Sequence, residues 1–250
     1  MAALLALLLA SPCPPQRLPR PDFAPETLVY KLDVFGTDVG TFEVRSEPPP
    51  DADRPQAAAL LSSRAKTNAF ASTNLARFET YFTTLVSRDS SPLHYREDID
   101  ENDVHHGTEL SFPPKNGVLD VQVTRNGEAV PQAPLPADGG VREMISTFFL
   151  LRRLSLDQPV CLEVFAGRKV WKLTGRMAAR ETIDTPLGHL PSLRFDGDAV
   201  RLDDAKVSRQ AHVWISDDER RLPLVAIGEM KGKTIRAQLI AAPGRRRAQK

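Results

Sequence analysis

The chain has 250 residues, and its 33 basic side chains nearly balance 32 acidic ones, so no global field draws it to nucleic acid. Apolar residues make up 41% and charged residues 26%, a balance that excludes wholesale disorder. A chain of this length holds one large β-domain or two small ones, and the pattern below favours one, over residues 27–241.

The first ten residues are almost entirely Ala and Leu, like the h-region of a secretory signal, and are too short to span a bilayer. No Lys or Arg precedes Arg17. Residues 1–13 are therefore read as a signal segment, which predicts an exported protein, periplasmic or associated with the outer membrane, with no transmembrane span. The stretch Leu9-Ala10-Ser11-Pro12-Cys13 is similar to a lipoprotein box, with Pro12 departing from it. Residues 14–26 are Pro-rich and aperiodic, the composition of a flexible tether. The second cysteine, Cys161, lies in the alternation Val160-Cys161-Leu162-Glu163-Val164 and reads as a small buried hydrophobe. With the signal cleaved or Cys13 lipidated, no disulfide is expected.

From Thr27 a β-pattern takes over. Leu28 to Phe35, a turn at Gly36-Thr37-Asp38, and Val39 to Arg45 predict a hairpin, with Tyr30, Leu32 and Val34 on one face. A Pro-rich loop spans 47–56, and strands follow at 57–68, 75–87 and 93–99, the last after the turn Ser90-Ser91-Pro92. A further pair is predicted at 108–112 and 118–125, ending at the turn Asn126-Gly127. One segment breaks the pattern. From Val141 to Leu154 apolar residues recur at helical spacing, predicting one amphipathic helix of about four turns, with Asp138 as a cap and Arg152-Arg153 at its cation-favouring end. Strands resume at 160–165, 169–181, 188–199, 209–215, 222–228 and 234–240, and a basic flexible tail closes the chain at 242–250. The fold class is mainly β: a large curved antiparallel sheet or half-open barrel, β-clam-like, with the helix covering its mouth.

Chemistry-bearing motifs are sparse. There is no Gly-x-Ser-x-Gly, no phosphate-cradling Gly motif and no Cys beside an obvious His, so no catalytic residue and no cofactor is assigned, and the chain is read as non-enzymatic. The run Asp100-Glu101-Asn102-Asp103-Val104-His105-His106, with His94, carries metal-ligand types, but adjacent strand histidines point to opposite sides, and no metal is assigned. The paired carboxylates Asp203-Asp204 and Asp217-Asp218 sit in turns, where Asp serves local hydrogen bonds.

Several quoted segments occur in a characteristic order: Leu28-x-Tyr30 with Gly36-x-x-x-Gly40, then Phe148-Phe149-Leu150-Leu151-Arg152-Arg153-Leu154. Ile183-Asp184-Thr185-Pro186-Leu187-Gly188 and Val213-Trp214-Ile215-Ser216-Asp217-Asp218-Glu219-Arg220-Arg221-Leu222-Pro223-Leu224 follow. In these the chain resembles the bacterial envelope family known as domain of unknown function 3108. The resemblance implies an exported, mostly antiparallel β-protein, often a lipoprotein, with no established activity and no agreed functional residues.

What the residues themselves offer is a concave apolar interior. Phe148, Phe149, Leu151 and Arg152 of the helix, with Trp171 and Trp214 of the strands, are the candidate lining for an amphipathic ligand, a lipid or lipid-linked glycan. Three alternatives stand beside it: the same side chains form a solid core, exposed strand edges dock another envelope protein, or the chain is a hydrolase whose site carries no recognised motif.

Overall fold

Alternation of buried and exposed side chains runs through nearly every segment of the computed structural model, which describes residues 13–50, 56–137, 140–230 and 232–243. The first half is a meander of β1 (Glu26–Val34), β2 (Thr37–Glu47), β3 (Ala57–Thr67), β4 (Phe78–Ser87), β5 (Pro92–Glu101) and β6 (Val104–Ser111). Short strands follow: β7 (Val118–Leu119), β8 (Gln122–Arg125), β9 (Glu128–Val130), β10 (Leu135–Pro136) and β11 (Arg142–Glu143). A second meander comprises β12 (Pro159–Ala166), β13 (Lys169–Thr185), β14 (Gly188–Arg201), β15 (Asp204–Ser216), β16 (Pro223–Met230) and β17 (Lys233–Ala241). Two helices interrupt them, α1 (Ala69–Asn74) and α2 (Met144–Leu151).

The strands form one sheet ordered β11-β12-β13-β14-β15-β16-β17-β1-β2-β3-β4-β5-β6-β8-β9, with β7 and β10 paired apart. The two meanders are joined in the middle, where β1 pairs antiparallel with β17 and Leu32 faces Ala237. Every pairing is antiparallel except β11 with β12. The ends, β11 and β9, do not pair with each other, so the sheet is curled but open. The curl brings distant strands face to face: Tyr95 of β5 meets Phe165 of β12 edge-on at 5.5 Å. Long strands bend more readily where glycines make room. The Phe195 ring lies over Gly175 and Gly197, and a Cβ at either would fall 2.6 Å from that ring.

The predicted helix is present but shorter. Arg142 and Glu143 form the parallel strand β11, and α2 has only two turns. Its cap is Glu143, whose buried carboxylate accepts hydrogen bonds from the Ile145 amide at 2.6 Å and from the Ser146 amide. Asp138, the expected cap, lies outside the described residues. Nor is α2 amphipathic in place: Ile145, Ser146, Thr147, Phe149, Leu150 and Leu151 are all buried, because sheet and leader enclose it from several sides. At its C-terminal end Arg152 donates from Nε to the Arg221 carbonyl at 2.9 Å and from a guanidinium N–H to the Arg220 carbonyl at 3.1 Å, and pairs with Glu26 of β1. A charge buried this deeply is tolerated because each guanidinium nitrogen has an acceptor and a carboxylate supplies the counter-charge.

Other expectations are corrected as well. The helix α1 falls in the connection between the strands expected at 57–68 and 75–87, with Asn68 capping the Ala71 amide at 2.9 Å. The acidic and His-rich run is a hairpin: β5 and β6 turn through Asn102 and Asp103, both at positive φ. The largest correction concerns the cysteines. Cys13 and Cys161 form a disulfide, with Cα atoms 5.4 Å apart and a sequence separation of 148. The Pro-rich segment behind Cys13 is accordingly laid against the sheet rather than swinging free. Gln16 bonds the backbone of Cys161, Leu18 packs on the core beside α2, and Asp22 pairs with Arg153 at 3.0 Å. Phe23 stacks at 5.7 Å from Phe149, and Ser46 donates to its carbonyl.

Candidate functional site

The concave face has two halves of different character. Against α2 it is filled by large side chains: Leu28, Tyr30, Val44, Leu61, Phe149 and Leu239 are essentially inaccessible. Tyr30 is pinned there, its hydroxyl donating to the Pro223 carbonyl at 3.0 Å, and burial pushes its ionisation far above the ordinary phenol range.

Beyond α2 the same face changes. Cross-strand pairing aligns Ala65 with Phe42 and Phe42 with Tyr30, while Leu32 aligns with Ala237 and Ala237 with Ala226. Residues opposite one another in a ladder share a face. Ala65, Phe42, Leu32, Ala237 and Ala226 therefore form a stripe across five neighbouring strands, and all are half-buried. Two residues on from Ala226, a Cβ added at Gly228 would meet nothing within 4 Å. Phe148 is the α2 side chain that fronts this half: half-buried, edge-on to Tyr30 at 6.4 Å.

One end of this half carries exposed apolar groups. Phe35, in the β1–β2 turn, is 84% exposed, and Phe70 and Leu75 of the α1 region are 53% and 56% exposed. The two regions are tied together because Asn68 donates to the Asp38 carbonyl at 2.9 Å. A surface cleft of about 370 Å³ bordered by Thr67, Ser72, Phe78 and Glu79 lies under α1.

The wall formed by β3 to β6 is unexpectedly polar. Glu97 shares its face with Tyr95 and Ile99, and is 3% exposed. The Thr108 hydroxyl hydrogen-bonds its carboxyl, yet burial outweighs that contact and the more distant Arg168, and its pKa is pushed up to about 7. On the same face, the hydroxyls of Ser63 and Thr80, 2% and 3% exposed, have no hydrogen-bond partner among the described residues.

Of the six residues expected to line a ligand site, Phe148 and Arg152 both touch Phe149 and Trp214 packs against the same core cluster, but they do not enclose a common hollow. Phe149 and Leu151 are enclosed in the core at 1% and 6% exposure, and Arg152 is consumed by its structural partners. Trp171 packs at the far end of the sheet, donating to the Ala166 carbonyl at 3.1 Å beneath the Arg209 guanidinium at 4.8 Å. Trp214 lies on the convex face, paired with Arg194 and opposite in direction to Val213 and Ile215, its indole N–H donating to Glu181 at 2.6 Å. Only Phe148 borders the less filled half. The stripe that does so is made of Ala and Gly as much as of large residues, and such positions carry no chemical signal in a sequence. Glu97 carried one: a carboxylate in phase with Tyr95 and Ile99 on an apolar face.

The acidic and His-rich hairpin uses its ligand-type groups locally. His105 pairs with Asp100 at 2.9 Å and His94 with Glu109 at 3.3 Å, and among the described residues no group of three such side chains converges on a point. Among the described residues no helix is long and apolar enough to cross a membrane.

The overall form is shared with one solved structure in particular. A β-barrel-like protein of domain of unknown function DUF1849 from Brucella abortus superposes with a TM-score of 0.58 at 9% identity, over 88% of this chain and 97% of that one. A presumed exported protein with a YmcC-like fold from Bacteroides fragilis matches at a TM-score of 0.37 and 8% identity, covering 90% of this chain and 98% of that one. A presumed lipoprotein from Parabacteroides distasonis does so at 0.34 and 8%, over 90% and 99%. No curated protein matches the sequence. The model of the family described as protein of unknown function (DUF3108) matches residues 29–239, from the first strand of the sheet to the last, and the chain belongs to that family.

Proposed function

We propose that this protein is an exported envelope protein that holds an amphipathic ligand, a lipid or lipid-linked glycan, against the open half of its concave sheet. The observation that carries the reading is the half-buried stripe of Phe42, Ala65, Leu32, Ala237 and Ala226 beyond α2. Apolar side chains on the inner face of a curled sheet are normally covered, as they are around Phe149, and small ones leave width for an acyl chain. Exposed Phe35, Phe70 and Leu75 at one end suit contact with a membrane surface from which such a ligand is taken.

Export is supported by the Cys13–Cys161 bond, since disulfides persist in oxidising compartments such as the bacterial periplasm. Docking of another protein by strand addition has less support: the sheet ends in strands of two and three residues, short templates for pairing.

The test fills the stripe. Ala237→Trp places a large ring among Leu32 and Ala226 at a half-buried position. The variant is expected to fold and to bind cis-parinaric acid, read by its fluorescence, at least ~10-fold more weakly than wild type, a change of about 1.4 kcal/mol. Undiminished binding by a folded Ala237→Trp protein overturns the proposal.

A further inference from the structure

Pairing places the polar groups of the β3–β6 wall together on the concave face. Ser63 stands opposite Phe82, Phe82 opposite Glu97, and Glu97 opposite Thr108. One step along, Thr80 stands opposite Ala65 on one side and Ile99 on the other. Thr80 is thus diagonal to both Ser63 and Glu97, roughly 7 Å from each, while Ser63 and Glu97 flank Phe82 from the two neighbouring strands, a spacing that a multi-atom head group spans. Three of these groups have unmet demands. Among the described residues, two are hydroxyls more than nine-tenths buried without a hydrogen-bond partner, and the third is a carboxyl that no Lys or Arg joins in an ion pair. Leaving such groups unpaired in a core is costly, and natural interiors seldom do so without a reason.

The patch adjoins the apolar stripe directly, because Thr80 pairs with Ala65, the stripe's first member. An occupant of the stripe therefore has a polar terminus within reach of Glu97. We propose that Ser63, Thr80 and Glu97 form the head subsite of the concave face and select amphiphiles whose head carries a primary ammonium. This rests on the groove reading above and extends it to the ligand's head. An ammonium offers three donors on a compact cation. Glu97 supplies the counter-charge, and the Thr80 and Ser63 oxygens accept the remaining protons. Charge-assisted bonds of this kind are about twice as strong as neutral ones, and they gain further where water is excluded. Glu97's neighbours fit that role: Thr108 holds its carboxyl, and Arg168, exposed in the β12–β13 turn, acts on it only through space. The shift of Glu97 toward neutrality agrees with a carboxyl lacking a cation.

The experiment compares two lysophospholipids with the same acyl chain, lysophosphatidylethanolamine and lysophosphatidylglycerol, each titrated below its micelle concentration into the full chain by calorimetry. Wild type is expected to prefer the ammonium-bearing lipid by at least ~10-fold. Glu97→Gln should reduce that preference to under ~3-fold while leaving the glycerol-headed lipid's affinity unchanged. Thr80→Val, which keeps shape and strand propensity but deletes the hydroxyl, should act in the same direction and stands in if Glu97→Gln does not fold. Equal affinities in wild type, or a preference that survives in both variants, overturns the head subsite while leaving the groove standing. If neither lipid binds, the groove reading itself falls, and the head subsite with it.

Discussion

Replacing Glu97 by Gln should make the protein more stable at neutral pH, by an amount that grows as pH rises from the acid range. In the unfolded chain this carboxyl titrates near 4.5, whereas burial raises it to about 7 in the fold. The folded state then binds a proton more tightly than the unfolded state, so stability is greatest below about pH 4.5 and falls between there and about pH 7. Above pH 7 the loss is complete. At about 1.4 kcal/mol per pH unit, the shift corresponds to about 3 kcal/mol, a sizeable part of the 5–15 kcal/mol typical of a folded domain. Glutamine carries no charge and escapes this penalty; reorienting around the Thr108 hydroxyl costs it roughly 1 kcal/mol. Urea unfolding of both proteins from pH 4.5 to 8.5 checks the prediction. The stability difference, variant minus wild type, should climb by about 2–3 kcal/mol across that range and level off above pH 7. Taking the difference at each pH removes the contribution of Glu143, which burial also shifts upward in both proteins. A difference that is flat with pH, or that grows in favour of wild type, would refute the claim that Glu97 is buried without a counter-ion.

Two further outcomes are expected. Phe149→Ala removes a ring that is 1% exposed and touches Phe23, Phe148 and the Arg152 guanidinium, so urea unfolding should show a loss of about 3–5 kcal/mol, whereas Phe148→Ala at its half-buried site should cost less than half as much. Equal losses would mean that α2 is not seated as described. The double variant Cys13→Ser, Cys161→Ser opens a loop of 148 residues, which should lower stability by about 2–5 kcal/mol and free the Pro-rich strap to proteolysis near Gln16; thiol titration of the denatured wild-type protein showing two free thiols would sink the premise.

Most of the sheet was legible because period-two alternation is a strong signal over long strands, and β12 to β17 fall where the pattern places them, with extensions at β13, β14 and β15. The extensions were hidden because polar residues such as Thr182 and Asp184 carry strand backbone beyond the buried rows. The helix α2 was visible in the spacing of Ile145, Phe149 and Leu150, but its start was not: Glu143 is an uncommon cap, and Val141 kept the periodicity going upstream. At six residues α1 was too short to show a period. The disulfide escaped because pairing across half the chain depends on how the sheet curls. The same dependence on the curl decides which of the expected site residues are packed in the core. Aromatic residues drew attention, but whether Phe149 lines a hollow or fills a core is set by which side of α2 the sheet encloses. The less filled side is written in alanines and glycines.

The central claim is that the concave face beyond α2 receives an acyl chain. Native mass spectrometry of the full-length protein, purified from bacterial membranes without detergent exchange, tests it most directly. Wild type should carry a co-purified mass in the lipid range, and Ala237→Trp, folded by circular dichroism, should not. A wild-type spectrum showing only the bare polypeptide mass, from preparations in which the disulfide is intact, would contradict the account.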